Sequence, residues 1–317
     1  MTQSANLPQS ASEPFRRSPS GGGGTATAAR AERSGGTSLS DQLSHHSAPY
    51  ADPLGRIDWD ALSLERFWLP ESALSLYGLD EFAALDEAQR RRLSHFEYLN
   101  AVEAGLWLEA IFMARIAESV QRAGNDSALR YHLHELREEA GHSLMFIELY
   151  QRSGLPRVAT AFPRLRMANL VGRRAPFEST AFWVAVMVGE EVPDRLNRVI
   201  HRHRREVDPV AHVVARIHTL DEARHIAHAK EQLQGRLAQM PGWQKRLLNP
   251  VLNRLFRQFV RALYLPEPAL YEQAGLEDGR AWARLAATNP QRTAFIDDCV
   301  QPTLKTLNAF GFRLNWR

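Results

Sequence analysis

The sequence contains two Glu-x-x-His motifs about eighty residues apart, with Glu139 and His142 in the first and Glu222 and His225 in the second. Residues i and i+3 lie on the same face of an α-helix, so each motif directs a carboxylate and an imidazole toward one point. Two such motifs, with one Glu from each of two further helices, form the dinuclear iron or manganese sites of four-helix bundles. The motifs therefore predict a helical bundle built around a pair of metal ions.

Composition narrows the class of protein. The 317 residues are 44% hydrophobic, which is enough for a sizeable core, and 39 basic against 36 acidic residues give no reason to expect a nucleic-acid partner. Cys299 is the single cysteine, which excludes an internal disulfide, a Cys-rich zinc site and a Cys-ligated iron–sulfur cluster on one chain. The sequence has neither a signal-peptide core nor a run of eighteen apolar residues, so we expect a cytoplasmic protein without stable membrane insertion.

Two regions differ sharply in composition. Residues 1–55 are rich in Ser, Gly, Ala and Pro and are predicted to be a disordered tail, because they cannot bury enough apolar surface to offset the entropy of ordering. Residues 56–317 are predicted to form a single helical domain. Within it we expect a core bundle over about 86–240 and a C-terminal helical extension over about 243–317.

Helical periodicity dominates the second region. Four long helices are predicted roughly over residues 86–123, 127–153, 177–206 and 209–240. A longer crossover containing Pro163 and Pro176 joins the second helix to the third, which is the connectivity of ferritin-like bundles. The predicted fold is therefore all-α, a ferritin-like four-helix bundle with additional C-terminal helices.

A fifth helix is predicted roughly over residues 243–263. It carries Arg254, Arg257 and Arg261 at helical spacing. This pattern favours a solvated basic face on a packed helix over a membrane-surface face.

The first hairpin offers several lone glutamates as the partner of Glu139: Glu97, Glu103, Glu109 and Glu118. Antiparallel helices meet at positions equally far from their turn, here near Gly124. Glu109 lies about fifteen residues before the turn and Glu139 about fourteen after it. Glu103 would be displaced by about 10 Å along the helix. The sequence therefore favours Glu109 over Glu103.

The second hairpin turns near Asp208, and the same argument selects Glu190 or Glu191 as the partner of Glu222 without separating them. His218 precedes Glu222 by four residues and so lies on the same helix face as His225. It is a candidate for a seventh ligand.

The donor set indicates the metal. Carboxylates and imidazoles without a thiolate suit iron or manganese. Four carboxylates also offset the charge of two divalent ions.

The His-x-x-x-Glu-x-x-His sequence that ends at His225, following the earlier Glu-x-x-His, resembles the arylamine N-oxygenase family typified by p-aminobenzoate N-oxygenase. The resemblance covers roughly residues 85–235. It implies a di-iron site of four Glu and three His that uses O₂ to oxidise an aromatic amine through the hydroxylamine to a nitro compound. The spacing in that family favours Glu191 over Glu190 and supports His218. The implied ligands are Glu109, Glu139, His142, Glu191, His218, Glu222 and His225.

The resemblance extends to the acids that precede each ligand Glu. In many di-iron oxygenases this acid accepts a hydrogen bond from the histidine of the opposite motif, which fixes the imidazole ring. We therefore expect Asp221 to pair with His142 and Glu138 to pair with His225.

The resulting hypothesis is an O₂-activating oxygenase with two Fe ions, or Mn in their place, and a small-molecule substrate such as an arylamine. No dinucleotide-binding motif or cysteine cluster is present, so electrons are expected from an external donor or reductase. The alternatives are a ferritin-type iron-storage protein and a di-iron carbon hydroxylase or desaturase. A homodimer is compatible with the sequence.

Overall fold

The computed structural model describes residues 38–121 and 127–317, and those residues contain α-helices and short 3₁₀ turns but no strand. The helices are α1 Leu39–Ser47, α2 Asp80–Ala83, α3 Glu87–Val120, α4 Ser127–Ser153, α5 Arg166–Arg174, α6 Thr180–Arg202, α7 Pro209–Gln239, α8 Gly242–Tyr264, α9 Pro268–Gln273, α10 Gly279–Thr288 and α11 Pro290–Ala309. The predicted all-α class is confirmed. No helix within the described ranges is long and apolar enough to cross a bilayer.

Helices α3, α4, α6 and α7 form the bundle. α3 packs along α4 and α6 along α7, while α3 also contacts α6 and α4 also contacts α7. Their starts follow from local capping: Asp86 and Gln89 form a reciprocal capping box at α3, and Asp208 accepts backbone N–H groups at α7, where Pro209 occupies the first turn. The predicted turn near Gly124 lies outside the described residues.

The crossover between the two hairpins runs from the end of α4 to the start of α6. It contains a 3₁₀ turn, Phe162–Arg164, and the short helix α5. The bundle therefore has the ferritin-like connectivity that the sequence predicts.

Helix α8 packs against α5 and α6. Leu252, Leu255 and Phe256 are buried, whereas Arg254 and Arg257 are exposed. The predicted basic face is therefore the solvated side of a packed amphipathic helix.

The prediction of a disordered tail up to residue 55 is wrong for residues 38–55, while its first part lies outside the described residues. The Ser38 side chain caps α1, and a 3₁₀ turn follows at Pro53–Arg56. Arg137 of α4 donates to the Ser47 carbonyl at 2.6 Å and lies over the Tyr50 ring at 4.4 Å. The Ser-rich composition concealed a capped helix that gains its stability from α4 and α7 rather than from its own apolar content.

Candidate metal centre

Side chains from the four bundle helices converge in the core. Glu109 comes from α3, Glu139 and His142 from α4, Glu190 from α6, and His218, Glu222 and His225 from α7. All except Glu190 are buried, and Glu190 is half-buried. The cluster lies within a bundle whose core is hydrophobic, where unpaired polar atoms are costly.

Within this cluster, the potential ligand atoms fall into two groups. Glu109, His142 and His218 form one group, and the other consists of Glu139, Glu190, Glu222 and His225. Within each group the atoms lie within 4.8 Å of one another. The two groups match the requirement for two adjacent metal ions.

Two carboxylates connect the groups. Oε1 of Glu222 lies 3.4 Å from Nε2 of His218, and its Oε2 lies 3.5 Å from Nδ1 of His225. Similarly, Oε2 of Glu139 lies 3.6 Å from Nδ1 of His142, and its Oε1 lies 2.9 Å from Nδ1 of His225. Glu139 and Glu222 therefore each place one carboxylate oxygen near a histidine of each group.

Several of these facing atoms have no hydrogen-bond partner: Oε1 of Glu109, Oε1 of Glu139, both carboxylate oxygens of Glu222, and Nδ1 of His142 and His225. Buried acceptors without partners cost free energy unless something else satisfies them. Close approach without hydrogen-bond geometry is what ligands directed at shared cations would give. The residues therefore fit a dinuclear metal site.

The outward nitrogens of two histidines are held by acids. Nε2 of His142 lies 3.1 Å from Oδ2 of Asp221, and Nε2 of His225 lies 3.0 Å from Oε2 of Glu138. The structure thus contains both pairs that the sequence predicts. When the rings are neutral, as metal binding requires, an Nε2–H that donates to the carboxylate leaves Nδ1 as the lone-pair nitrogen that faces the cluster.

Two further supporting residues were missed from the sequence. Arg224 donates to Glu138 at 2.9 Å and to Asp221 at 2.5 Å, so one guanidinium orients both acids. The Asn197 amide nitrogen lies 2.9 Å from Nδ1 of His218. Rotating that amide by half a turn presents its oxygen to an Nδ1 proton and leaves Nε2 free to bind a metal. The position of Arg224 within the second Glu-x-x-His motif could have indicated its role, whereas no sequence pattern marks Asn197.

The partner of Glu139 agrees with the hairpin argument, because Glu109 lies in the cluster. Its Oε2 accepts a hydrogen bond from Ser143 at 2.6 Å. The alternatives have other partners: Glu103 accepts from Tyr150 at 2.8 Å, and Glu97 accepts from Ser75 at 2.5 Å.

The structure places Glu190, rather than the expected Glu191, in the cluster. Oε1 of Glu191 lies 2.9 Å from Lys230 and 3.4 Å from Arg195, away from the histidines. Glu190 lies in the cluster with Glu139 and Glu222 instead. Successive residues of a helix point about 100° apart, so only one of the two adjacent acids can face the centre.

Proton affinities in the cluster reflect burial and crowded charge. Burial, followed by the charge of Glu139, raises the pKa of Glu190 to about 7. Burial, followed by Glu190, raises the pKa of Glu222 well above its usual value. Burial opposes protonation of His142, but the hydrogen bond to Asp221 and the nearby Glu139 raise its pKa to about 10. Without metal, protons carry the positive charge that the clustered carboxylates need.

An apolar cleft opens beside Glu190. Residues of α3, α5, α6 and α8 line it, including Leu108, Phe112, Phe182 and Phe256. Its empty space, the open mouth included, is about 730 Å³. Among the described residues, Glu190 is the only charged side chain in the wall, so the apolar cleft meets the metal-ligand cluster at this carboxylate.

Comparison with known families gives one match along most of the chain. The model of the family described as P-aminobenzoate N-oxygenase AurF matches residues 30–311. Uncharacterized proteins of Mycobacterium tuberculosis H37Rv and Mycobacterium bovis are 28% identical over 232 residues, which is 71% of this chain and 60% of each relative. The match therefore spans less than two thirds of the length of these relatives.

Solved structures with a similar fold include two variants of an R2-like ligand-binding oxidase reconstituted with a Mn/Fe cofactor. One has a TM-score of 0.52 at 14% identity and covers 88% of this chain and 93% of its own. The other has a TM-score of 0.51 at 13% identity and covers 88% and 94%. At this identity the similarity concerns the fold, which is ferritin-like.

Proposed function

Because the chain belongs to the p-aminobenzoate N-oxygenase AurF family, we propose that it is a dinuclear oxygenase that oxidises an apolar aromatic amine at nitrogen. The observation that supports this proposal best is that the candidate metal ligands and the apolar cleft lie next to each other. Two groups of carboxylates and imidazoles converge from four helices, and the apolar cleft ends at Glu190, one of those carboxylates. A ligand in the cleft would therefore meet the metal centre directly.

The proposed ligands form two sets joined by bridges. Glu109, His142 and His218 would hold one ion, and Glu190 and His225 would hold the other, while Glu139 and Glu222 would reach both. Oxygen and imidazole donors suit two Fe ions or a Mn/Fe pair. When bound, the two ions supply the electrons and the Lewis acidity that activate O₂.

The supporting residues fix the ligands before the metals arrive. Asp221 and Glu138 accept the Nε2 protons of His142 and His225, and Arg224 holds both acids in place. This arrangement keeps the imidazoles in the tautomer that binds metal and limits their rotation. The hydrophobic core of the bundle would limit the access of water to a bound metal pair.

The cleft indicates the substrate class. Its walls offer aromatic and aliphatic surface, and the indole N–H of Trp107 already donates to Asn169 at 3.1 Å. No cationic side chain of the described residues lines it, so a benzoate carboxylate would be desolvated without a partner. We therefore favour an uncharged arylamine over p-aminobenzoate itself, with its amine end toward Glu190.

The same cleft supports a second candidate, the oxidation of an apolar substrate at carbon. Among the described residues, the wall provides no charged side chain other than Glu190, and the Trp107 N–H already has a partner, so little in the wall selects nitrogen over carbon. In either case the electrons would come from an external donor or reductase. Iron storage is less well supported, because a storage site does not need an apolar substrate passage.

A single probe separates nitrogen from carbon oxidation. 4-Ethylaniline is uncharged and carries both an amine and a benzylic carbon. The iron-loaded protein with ¹⁸O₂ and a reductant is expected to yield labelled hydroxylamine or nitro product, detected by mass spectrometry. Labelled benzylic alcohol would support the second candidate. If neither product carries ¹⁸O, the oxygenase proposal is contradicted.

A charge placed in the wall tests the substrate class. The substitution Leu255→Arg adds a cation to the cleft and is expected to raise turnover of p-aminobenzoate relative to 4-ethylaniline, by about tenfold or more, because a carboxylate gains a partner. Arg254→Leu changes charge on the exposed face of the same helix and serves as the control. A wild-type preference for p-aminobenzoate would refute the proposed selectivity.

A further inference from the structure

A second cluster of metal-binding side chains lies beside the dinuclear centre and outside it. His132 and Glu135 project from α4 and His228 from α7, and their ligand atoms lie within 4.8 Å of one another. All three residues are buried, with Glu135 and His228 at 0% exposure. Glu135 precedes Glu139 by one helical turn, about 6 Å along the axis.

Several buried polar atoms of this cluster have no hydrogen-bond partner. Nε2 of His132 lies 3.0 Å from Nε2 of His228. Both oxygens of Glu135 and Nδ1 of His228 have no hydrogen-bond partner. A fully buried carboxylate without a partner costs several kcal/mol unless a proton or a cation neutralises it.

The charges that act most strongly on Glu135 are those of the neighbouring His225 and of three acids. Burial raises the pKa of Glu135 well above its ordinary value, His225 opposes the rise, and the charges of Glu139, Glu190 and Glu138 add to it. Burial lowers the pKa of His228, as do His132 and His225. The histidine is therefore neutral, which is the form that binds metals.

Aromatic rings enclose the cluster on its inner side. The ring of Trp183 lies 6.1 Å from that of His132 and 5.5 Å from that of His228, and the Tyr131 ring lies 4.7 Å from His228. On the outer side, His132 lines a polar surface cleft together with Glu118 and Glu178. An ion could therefore reach the cluster from solvent without passing through the dinuclear centre.

We propose that His132, Glu135 and His228 form a third metal site, which binds one divalent transition-metal ion such as Fe(II) or Zn(II). Two imidazoles and one carboxylate leave open coordination positions, as in mononuclear iron and zinc sites. The bound ion would neutralise Glu135 and replace the contact between the two imidazoles. The site lies one helical turn from the dinuclear centre but does not depend on the substrate or reaction proposed above.

The test is metal stoichiometry at saturation. The full chain is dialysed against Zn(II), and separately against Fe(II) under anaerobic conditions, and ions per chain are counted by mass spectrometry. Glu135→Gln and His132→Asn are expected to bind one ion fewer than the wild type. Glu231→Gln, an exposed change on α7, is expected to lose none. Glu190→Gln is expected to weaken the dinuclear centre and to keep the third ion.

Two results would overturn the proposal. The first is a wild-type protein that saturates at two ions per chain. This result can be interpreted without any variant. The other is a pair of folded variants, judged by circular dichroism, that bind as many ions as the wild type. His132→Asn provides a second variant if the more deeply buried Glu135→Gln does not fold.

Discussion

One step along α6 separates two carboxylates with different partners. Glu190 faces the ligand cluster, whereas Glu191 pairs with Lys230 and Arg195. Glu190→Gln is therefore expected to lose one of the two ions or bind it at least about tenfold more weakly, because it replaces a charged ligand. Glu191→Gln, chemically identical and one residue away, should keep both ions and lose only some stability. Ion counts and product yields on both variants decide the assignment, and the opposite pattern would restore Glu191.

The sequence could predict Glu109 but not Glu190, for a physical reason. A choice between Glu103 and Glu109 concerns position along a helix, which the distance from the turn determines. A choice between adjacent residues concerns rotation about the axis, which depends on where α6 begins and how regular it is. Pro193 lacks the N–H that would bond the carbonyl of Gly189, so the helix is missing one of its regular hydrogen bonds beside Glu190.

His95 gives a stability test far from the metal ligands. It is buried beside Trp68, its Nε2 lies 2.8 Å from the Arg66 carbonyl, and burial lowers its pKa from 6.5 to about 4. The unfolded chain therefore binds a proton that the folded chain excludes between these values. Stability from this residue is present above pH 6.5 and is lost as the pH falls through about 4, by about 3 kcal/mol in total.

The measurement is urea unfolding of the metal-free protein at several pH values. His95→Gln keeps a hydrogen-bond donor without titrating, so its stability should fall less between pH 6.5 and 4 than that of the wild type. Parallel curves for the two proteins would show that His95 is protonated in the folded state or does not couple to folding.

At the scale of elements, the segment from α1 to the turn at Pro53–Arg56 covers the first metal motif. A Cβ at Gly141 would lie 2.4 Å from the Tyr50 hydroxyl oxygen and 3.1 Å from Cγ of Pro53. The glycine between Glu139 and His142 is thus required for close packing. The polar composition of this segment did not predict an ordered element, because its stability comes from contacts with α4 and α7.

Gly141→Ala is expected to lower the free energy of unfolding by about 1–3 kcal/mol, because the added methyl displaces the covering segment. Gly235→Ala is the matched control on α7, where nothing lies within 4 Å of the added Cβ. It should stabilise the protein by about 0.5–1 kcal/mol through better helix propensity. Denaturant unfolding compares the two, and equal effects would contradict the close packing at Gly141.

The cleft could not be predicted from the sequence, although the helices that form it could. Its walls come from α3, α5, α6 and α8, which are distant in the chain, and each contributes only a few apolar residues that also fit an ordinary core. Leu255 and Phe256 are examples: in the sequence, the arginines of their helix form the evident pattern, and nothing marks these two residues as part of a cleft. Tertiary packing, rather than any local pattern, creates the passage to Glu190.

At the scale of the whole molecule, the fold and the site have a common origin. Helical periodicity and two motifs predict two hairpins joined by one crossover, and that connectivity brings α3, α4, α6 and α7 together. The buried carboxylates would destabilise such a core without cations, so metal binding is expected to be part of what stabilises the fold.

Anomalous X-ray diffraction at the iron edge from crystals of the iron-loaded protein tests this account most directly. The account predicts two peaks in the dinuclear centre, one about 2.0–2.2 Å from ligand atoms of Glu109, His142 and His218, and the other equally close to Glu190 and His225, with Glu139 and Glu222 between them. A separate peak at His132, Glu135 and His228 belongs to the third site proposed above and does not bear on this test. A single peak, no peak among these residues, or an ion bound by Glu191 in place of Glu190 would contradict it.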